Sequence, residues 1–507
     1  MNTAPTERAP VPHTPHCEGV TPLTARLEPW MRELLDDAEQ CAALIEEYGS
    51  PVNVHNTGPL ARNINELTTA AAEHDIRFAV YLARKANKTI SIVQAAHHAG
   101  AGIDVASRRE LTQTLEAGVP GKRIVFSAAM KTPAALDLAI THDVTISVDN
   151  RDEAALVLDR AKQAGTPARV ALRLAVIHPD IAPTRFGLPS TQWLDWAAPL
   201  TSESAVNVVG LHIHLNGYSA AERAIALRHG CTVIDALREQ GHTPDFIDMG
   251  GGIPMSYLDD ADQWQHFWHT LDATQPGTSQ VTWRGDQLGL VDPAAQRPSP
   301  SVYPYYQSVV RGQWLNQVLS APSVLAGAGQ ESAPQNGEHP TATQPTIAGS
   351  LRERGIELRC EPGRSLLDGC GMTLAQVTFR KHTSDGIPLV GLMMNRTQVR
   401  STSADFLVDP VLVRPAAAGA PEKIESGFFV GAYCIEEELI LRRRMVFPQG
   451  VACGDIVAFP NTGGYLMHIL ESASHQIPLA ANVVAHGSQW VRDEVDAVMV
   501  AGGEPLS

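Results

Sequence analysis

Short apolar runs alternate with amphipathic stretches through the first half of the chain. "RFAVYLA" at residues 77–83 alternates as a strand, and "SIVQAAHHAG" after it has helical spacing. The same pairing recurs in "GIDVAS" with "RRELTQTLEAG", in "RIVFSA" with "PAALDLAITH", and in "VTISVD" with "RDEAALVLDRAKQAG". "ARVALRLAV" follows, then "VVGLHIHL" with "ERAIALRHGCTVIDALREQG", then "FIDMGGGIP". A strand–helix unit roughly every 25 residues predicts a parallel sheet, and so many in succession predict a closed (β/α)8 barrel.

The rhythm breaks between about 275 and 348. "GAGQESAPQNGEHPTATQPTIAGS" is low in complexity and reads as a surface loop, whereas "PSVYPYYQSVVRGQWLNQVLS" upstream reads as ordered. It resumes at "IELRCEPGRSLL", the expected last barrel strand. After residue 372 the runs "MTLAQVTFRK", "PLVGLMM", "GFFVGAYC" and "DIVAFPNTG" predict a second, mostly β domain. Near the start, Leu23, Leu27, Trp30, Leu34, Leu35, Ala42, Leu44 and Ile45 have helical spacing. The expected organisation is a disordered arm at 1–22, a helical segment at 23–50 packing on the C-terminal domain, a barrel at 51–371 with an insertion at about 275–348, and a β-rich domain at 372–507.

Composition narrows the functions. The 507 residues are 44% hydrophobic and 19% charged, which suits a multidomain globular chain with a large core. The formal net charge of −16 argues against a nucleic-acid partner, since phosphate-backbone binding needs a positive surface. Seven cysteines without a Cys-x-x-Cys pair predict a reduced, cytoplasmic protein without a zinc ribbon. The first 22 residues hold five prolines and no apolar core, so no signal peptide is expected, and "HTPHC" reads as tail instead of metal site. No run reaches the length of a membrane helix.

Function in a parallel barrel gathers at the C-terminal ends of the strands. Those ends carry Lys85, Asp104, Ser107, Arg173, His214, the glycines 250–252 and the run Glu361-Pro362-Gly363-Arg364. Singly they are weak signals. A strand-end lysine is commonly a surface residue, a glycine triplet a tight turn, and His214 has His212 as its in-sequence competitor. Together they suit one ligand. A glycine loop frees N–H groups for a phosphate, Arg364 adds a fixed cation, Glu361 suits a protonated ring nitrogen, His214 suits an aromatic face, and Lys85 supplies an amine. That set points to pyridoxal 5′-phosphate held through a lysine.

The ordered motifs "ARKANKT", "GIDVASRREL", "LHIHLNG", "DMGGGIP", "EPGRSLLDGCG", "GAYC" and "NTGGY" resemble those of the fold-type III pyridoxal-phosphate decarboxylases. That family includes the diaminopimelate, ornithine and arginine decarboxylases and shares its barrel with alanine racemase. The likeness spans residues ~50 to ~485, and "ARKANK" with "MNRTQ" resembles a divergent subgroup. It implies that Lys85 is the Schiff-base lysine and that Asp104 and Arg173 lie at the cofactor. It implies further that His214 stacks on the cofactor ring and that Gly251, Gly252, Gly363, Arg364 and Tyr465 surround the phosphate. Glu361 matches the acid at the ring nitrogen. Cys434 matches a cysteine that reprotonates the product and comes from a second subunit, which implies a homodimer with shared active sites.

Departures from the family pattern concern the phosphate and the substrate. The expected Gly-Ser after the histidine is Asn216-Gly217, with Ser219 arriving late. The acid after the cysteine is replaced by Ile435, followed by Glu436, Glu437 and Glu438. Arg400 resembles an arginine that binds a distal carboxylate, so Arg400, Glu436 and Glu438 are the substrate-side candidates. Tyr303, Tyr305 and Tyr306 in the insertion read either as pocket wall or as packing under a loop. The expected activity is decarboxylation of an amino acid or an amino-acid conjugate, in siderophore or other secondary metabolism, with no metal. The alternatives are an amino-acid racemase, which Tyr433 keeps open, and a non-catalytic regulatory homologue.

Overall fold

The computed structural model describes residues 16–275, 277–289, 302–323, 345–401 and 406–500. Eight parallel strands close into a barrel: Phe78–Ala83, Gly102–Val105, Ile124–Phe126, Thr145–Val148, Ala168–Leu174, Val206–Ile213, Phe246–Asp248 and Glu357–Cys360. The last pairs with the first through Leu358 opposite Phe78. These are the eight apolar runs of the sequence, and nearly every residue in them is buried, as helices on the outside and side chains within require. The register brings Ala83 level with Asp104, and Arg173, His212 and Asp248 level with one another.

Three of the helices that follow strands start in the same way. Ser107, Asn150 and Ser219 accept hydrogen bonds from the amides of Glu110, Glu153 and Glu222, at 3.1, 2.9 and 3.2 Å. Ser107 and Ser219 therefore use their hydroxyls as helix caps, which accounts for both as structural residues.

The second body is a ten-stranded sheet built around the long strand Gly371–His382. Its composition corrects the predicted barrel boundary at residue 51. The strand Val52–His55 is not part of the barrel; it lies in this sheet, antiparallel to Gly371–Leu374 and parallel to Ala481–Val484. A short apolar run fixes a strand's faces but not which sheet it joins. The helices Pro29–Asp36 and Ala38–Tyr48 bury Leu34, Leu35, Cys41, Leu44 and Ile45 against Met372, Leu374, Val413 and Ile456 of the sheet.

The disordered arm expected at 1–22 needs correction over its last residues. Glu18–Gly19 pairs with Met445–Val446, Cys17 is buried, and the Arg443 guanidinium bonds the Thr21 carbonyl; residues 1–15, with the "HTP" of the tail, lie outside the described residues, and His16 lies 3.1 Å from Glu18. Within the insertion, helix Arg311–Ser320 packs against helices Gly58–Ala72 and Ala220–Glu239. Arg311 is pinned by Glu66 and Asp368, both at 2.6 Å. Most of the low-complexity run falls outside the described residues, but its end, from Ile347, opens the helix Ile347–Glu353. No helix among the described residues is long and apolar enough to cross a membrane.

Candidate active site

The first barrel strand ends at Ala83, and a single 3-10 turn, Arg84–Ala86, swings Lys85 over the barrel mouth. Neighbouring Arg84 is buried instead, its guanidinium bonding the Glu110 carbonyl, Thr114 and Gln113. Asn87 ties the turn to the second body through the Gly463 carbonyl at 2.9 Å and the His55 ring at 3.2 Å. Lys88 points elsewhere and pairs with Glu471. The turn thus sorts three cationic side chains, leaving one at the mouth.

Lys85 Nζ donates to Asp104 Oδ2 at 3.1 Å, and Ser127 Oγ donates to Asp104 Oδ1. Burial opposes the lysine's charge, but the carboxylate of Asp104, with Tyr465 and Glu361 beyond it, holds its pKa above the ordinary lysine value. Burial and Glu361 push the Asp104 carboxyl upward, against the pull of Lys85 and Ser127.

Glu361 stands across the mouth at the end of the last strand. Its Oε2 lies 3.4 Å from His212 Nε2, whose Nδ1 is 2.6 Å from Ser147 Oγ. Burial would raise the Glu361 carboxyl, but His212, Lys85 and Arg173 outweigh it and bring the pKa down to about 2. Oε1 of this ionised, buried group has no hydrogen-bond partner. Asp248 completes a close trio with His212 and Glu361, their nearest oxygen and nitrogen atoms within 4.8 Å of one another. Burial, then repulsion from Glu361, drives the Asp248 carboxyl well upward. The competition between the two histidines resolves clearly: His212 is buried beneath the acid, and His214 reaches the open side. Burial, with His212, Arg173 and Lys85 nearby, lowers the His214 pKa to about 3, so the ring is neutral. Phe186 meets it edge-on at 5.0 Å, and the Arg173 guanidinium lies over Phe186 at 4.2 Å.

A second cluster surrounds Arg364. Its Nη1 donates to the Tyr257 hydroxyl at 2.7 Å and to the Gly464 carbonyl at 3.2 Å, and its Nη2 to Ser401 Oγ at 3.2 Å. The Tyr303 ring lies 4.3 Å beneath the guanidinium. Tyr303 is itself fixed by the Met255 backbone and Gln307, so this insertion residue is a wall of the Arg364 pocket, and Tyr305 is fully buried behind it. Tyr465 takes a left-handed backbone, φ 64°, and its amide donates to the Ala86 carbonyl at 2.9 Å. Gly363 allows this approach: a Cβ there would lie 2.7 Å from the Tyr465 ring and 2.8 Å from Ala86 Cβ. Gly250 and Gly252 have φ of 69° and 77°, so the loop after Asp248 turns sharply beside the Glu361 backbone, and Glu361 N donates to the Gly250 carbonyl at 2.9 Å.

The substrate-side candidates separate. Ser401 places the Arg400 segment beside Arg364, and Arg400 lies near Glu438. Glu438 turns inward, 4% exposed, where Oε1 accepts the Arg396 amide at 2.9 Å, so its carboxylate is a backbone clamp. Glu436 and Cys434 are exposed on the loop between these segments, and Cys434 makes no hydrogen bond to the Lys85 group within one chain. The Tyr433 hydroxyl donates to the Ser472 carbonyl at 2.8 Å and its ring stacks on His475. Sequence reasoning missed Tyr257, Ser401 and Arg223; Tyr257 shares the loop after the glycines, a signal that its neighbourhood could have given.

The donor set fits pyridoxal 5′-phosphate. Glu361 Oε1 is buried, anionic and without a donor from the chain, which is what a protonated ring nitrogen would satisfy. Comparison with known proteins agrees. Residues 60–281 match the family described as pyridoxal-dependent decarboxylase, pyridoxal binding domain. The uncharacterized protein y4yA of Sinorhizobium fredii is 30% identical over 436 residues, 86% of this chain and 87% of its own. A diaminopimelate decarboxylase of Zymomonas mobilis is 24% identical over 470 residues, 87% and 89% of the two chains. The crystal structure of diaminopimelate decarboxylase from Helicobacter pylori complexed with L-lysine superposes with a TM-score of 0.61 at 17% identity, covering 90% of this chain and 98% of that one. Lysine decarboxylase from Selenomonas ruminantium gives 0.60 at 16%, covering 94% and 100%.

Proposed function

The chain belongs to the fold-type III pyridoxal-phosphate decarboxylases, and from that premise we propose that it acts on an amino acid or amino-acid conjugate carrying a second carboxylate. That it is a pyridoxal-phosphate-dependent amino-acid decarboxylase follows from its relatives; the substrate class, the residue roles, the homodimer and a cytoplasmic location are our reading. The observation that carries the roles is the ionised, buried Glu361 with one oxygen unpartnered, facing the same mouth as Lys85.

When bound, pyridoxal 5′-phosphate supplies an electron-accepting ring that spreads the negative charge left as carbon dioxide departs. Lys85 provides the amine that holds the aldehyde, and Asp104 keeps that nitrogen in place. Glu361 stays ionised and holds a proton at the ring nitrogen. His214, neutral, would cover the ring without adding charge. Arg364, Tyr465 and the glycines 250–252 would hold the phosphate, with Tyr257 and Ser401 fixing the arginine fork. Once bound substrate displaces water from the mouth, loss of the carboxylate is favoured, because a charged group leaves as a neutral gas. Cys434, exposed on its loop, delivers the final proton from a second subunit.

The second-carboxylate reading rests on Arg400 beside the Arg364 pocket and on Ile435 standing where an acid would meet a terminal ammonium. It suits secondary metabolism, including siderophore assembly. Carbon dioxide release should be measured across L- and D-diamino acids and citryl conjugates. Turnover is expected on substrates with a distal carboxylate; a preference for simple diamines' precursors such as lysine would refute the substrate class. Mixing Lys85→Ala with Cys434→Ala chains should restore part of the activity, and no recovery despite proven subunit exchange would refute the shared site.

A further inference from the structure

Arg223 lies in the first turn of helix Ala220–Glu239 and is 1% exposed. Its Nη2 donates to the carbonyls of Leu215 at 3.0 Å, Gly217 at 2.8 Å and Gly251 at 3.3 Å. The first two belong to the loop after His214, the third to the glycine loop. A Cβ on Gly252 would run into this same nitrogen. The guanidinium therefore sits directly behind the glycine loop and clips it to the neighbouring one.

It has no close counterion. Arg443 and Arg311 are comparably buried, and each faces a carboxylate, Asp409 at 2.6 Å and Asp368 at 2.6 Å; Arg84 also lacks one, but both of its terminal nitrogens bond neutral acceptors. Among the described residues no carboxylate lies within ion-pairing distance of Arg223, and both Nε and Nη1 lack hydrogen-bond partners. Burial draws its pKa down to about 10, so it remains a cation at neutral pH. The charge that favours it is Glu222, next to it in the chain, and not an ion-pair partner; a buried cation with open donors is costly unless an anion sits beside it. The nearby hydroxyl that might have served an anion is already used, since Ser219 Oγ caps the helix.

We infer that Arg223 is a phosphate-positioning residue: it joins the two loops of the phosphate cup and balances the cofactor's phosphate dianion, where Asn216-Gly217 offers no hydroxyl. This inference rests on reading the glycine loop as the phosphate cup. It also explains why Gly252 is glycine: a side chain there would displace the guanidinium.

The test compares pyridoxal 5′-phosphate with pyridoxal, which lacks the phosphate, by absorbance titration of the apoprotein. Arg223→Gln should weaken pyridoxal 5′-phosphate binding about ten- to a hundredfold and leave pyridoxal within about twofold. Arg223→Lys, which keeps the charge but loses the Nε and Nη1 donors, should fall between. If Arg223→Gln does not fold, the same ratio is read from Arg223→Lys alone. Equal weakening of both ligands, or no change in either, overturns the inference. Failure of the unaltered protein to bind pyridoxal 5′-phosphate would instead refute the proposed function itself.

Discussion

Replacing Asp104 with asparagine tests the electrostatics that prepare Lys85. The pair is 3.1 Å apart, and at an effective dielectric of 20 two unit charges at that separation attract by about 5 kcal/mol. The Lys85 side chain is 35% exposed, so water at the mouth screens the pair, and a value near that of a hydrogen bond between charged groups, about 1.5–3 kcal/mol, is appropriate. That corresponds to a fall of about one to two pH units in the lysine titration. The side chains differ little in shape, and Ser127 can still donate to the amide oxygen, so the loss is mainly one of charge. The assay is limited acetylation of the apoprotein across pH, with Lys85 quantified by peptide mass spectrometry against exposed Lys381. The Lys85 midpoint should move down in Asp104→Asn. An unchanged or rising midpoint would refute the assignment of Asp104 as the group that holds the lysine charged.

Borohydride reduction of the holoenzyme should label Lys85 and not Lys88, since Lys88 is paired with Glu471; a label on Lys88 contradicts the geometry of the turn. Gly363→Ala should displace Tyr465 at an overpacking cost of about 1–3 kcal/mol, read as weaker cofactor binding with a near-native melt of the apoprotein; unaltered binding would show that Tyr465 does not depend on this approach. Burial holds His214 at about 3 and His468 well below the usual histidine range. The unfolded chain therefore binds protons first, so this part of the stability is present above about pH 6.5 and is lost as pH falls. The imidazole NMR signals of His214 and His468 in the apoprotein should stay those of neutral rings from pH 7 to 5, and a titration of either ring in that range would contradict the depressed values.

The barrel was legible because its strands recur as short, largely apolar runs at a regular spacing, and Lys85, His214, Glu361 and Arg364 stood out as candidates because each ends such a run or follows it closely. What stayed hidden depends on direction and partnership. The run Val52–His55 has the composition of a barrel strand, and only its hydrogen bonds to Gly371–Leu374 assign it to the other sheet. Glu438 is one of three consecutive glutamates, and the local fold, not its type, turns it inward onto the Arg396 amide. Arg223 sits in an ordinary amphipathic helix, where arginine is a common surface residue, and its burial follows from the loops that fold back over it. Tyr303 reaches Arg364 from an insertion whose neighbouring residues carry no periodic pattern.

The strand Val52–His55 also dictates an order of events during synthesis. Its nearest partner, Gly371, is made 316 residues after His55, since 371 − 55 = 316. At about 5–20 residues per second on the ribosome, that is a wait on the order of 15–60 seconds with the strand Val-Asn-Val-His unpaired. The entire barrel must emerge during this interval, and its closing strand ends only at Cys360. Nascent chains halted before residue 371 should therefore carry an unpaired strand with open backbone donors and acceptors, a natural substrate for chaperones that bind extended segments, even when the barrel has already closed.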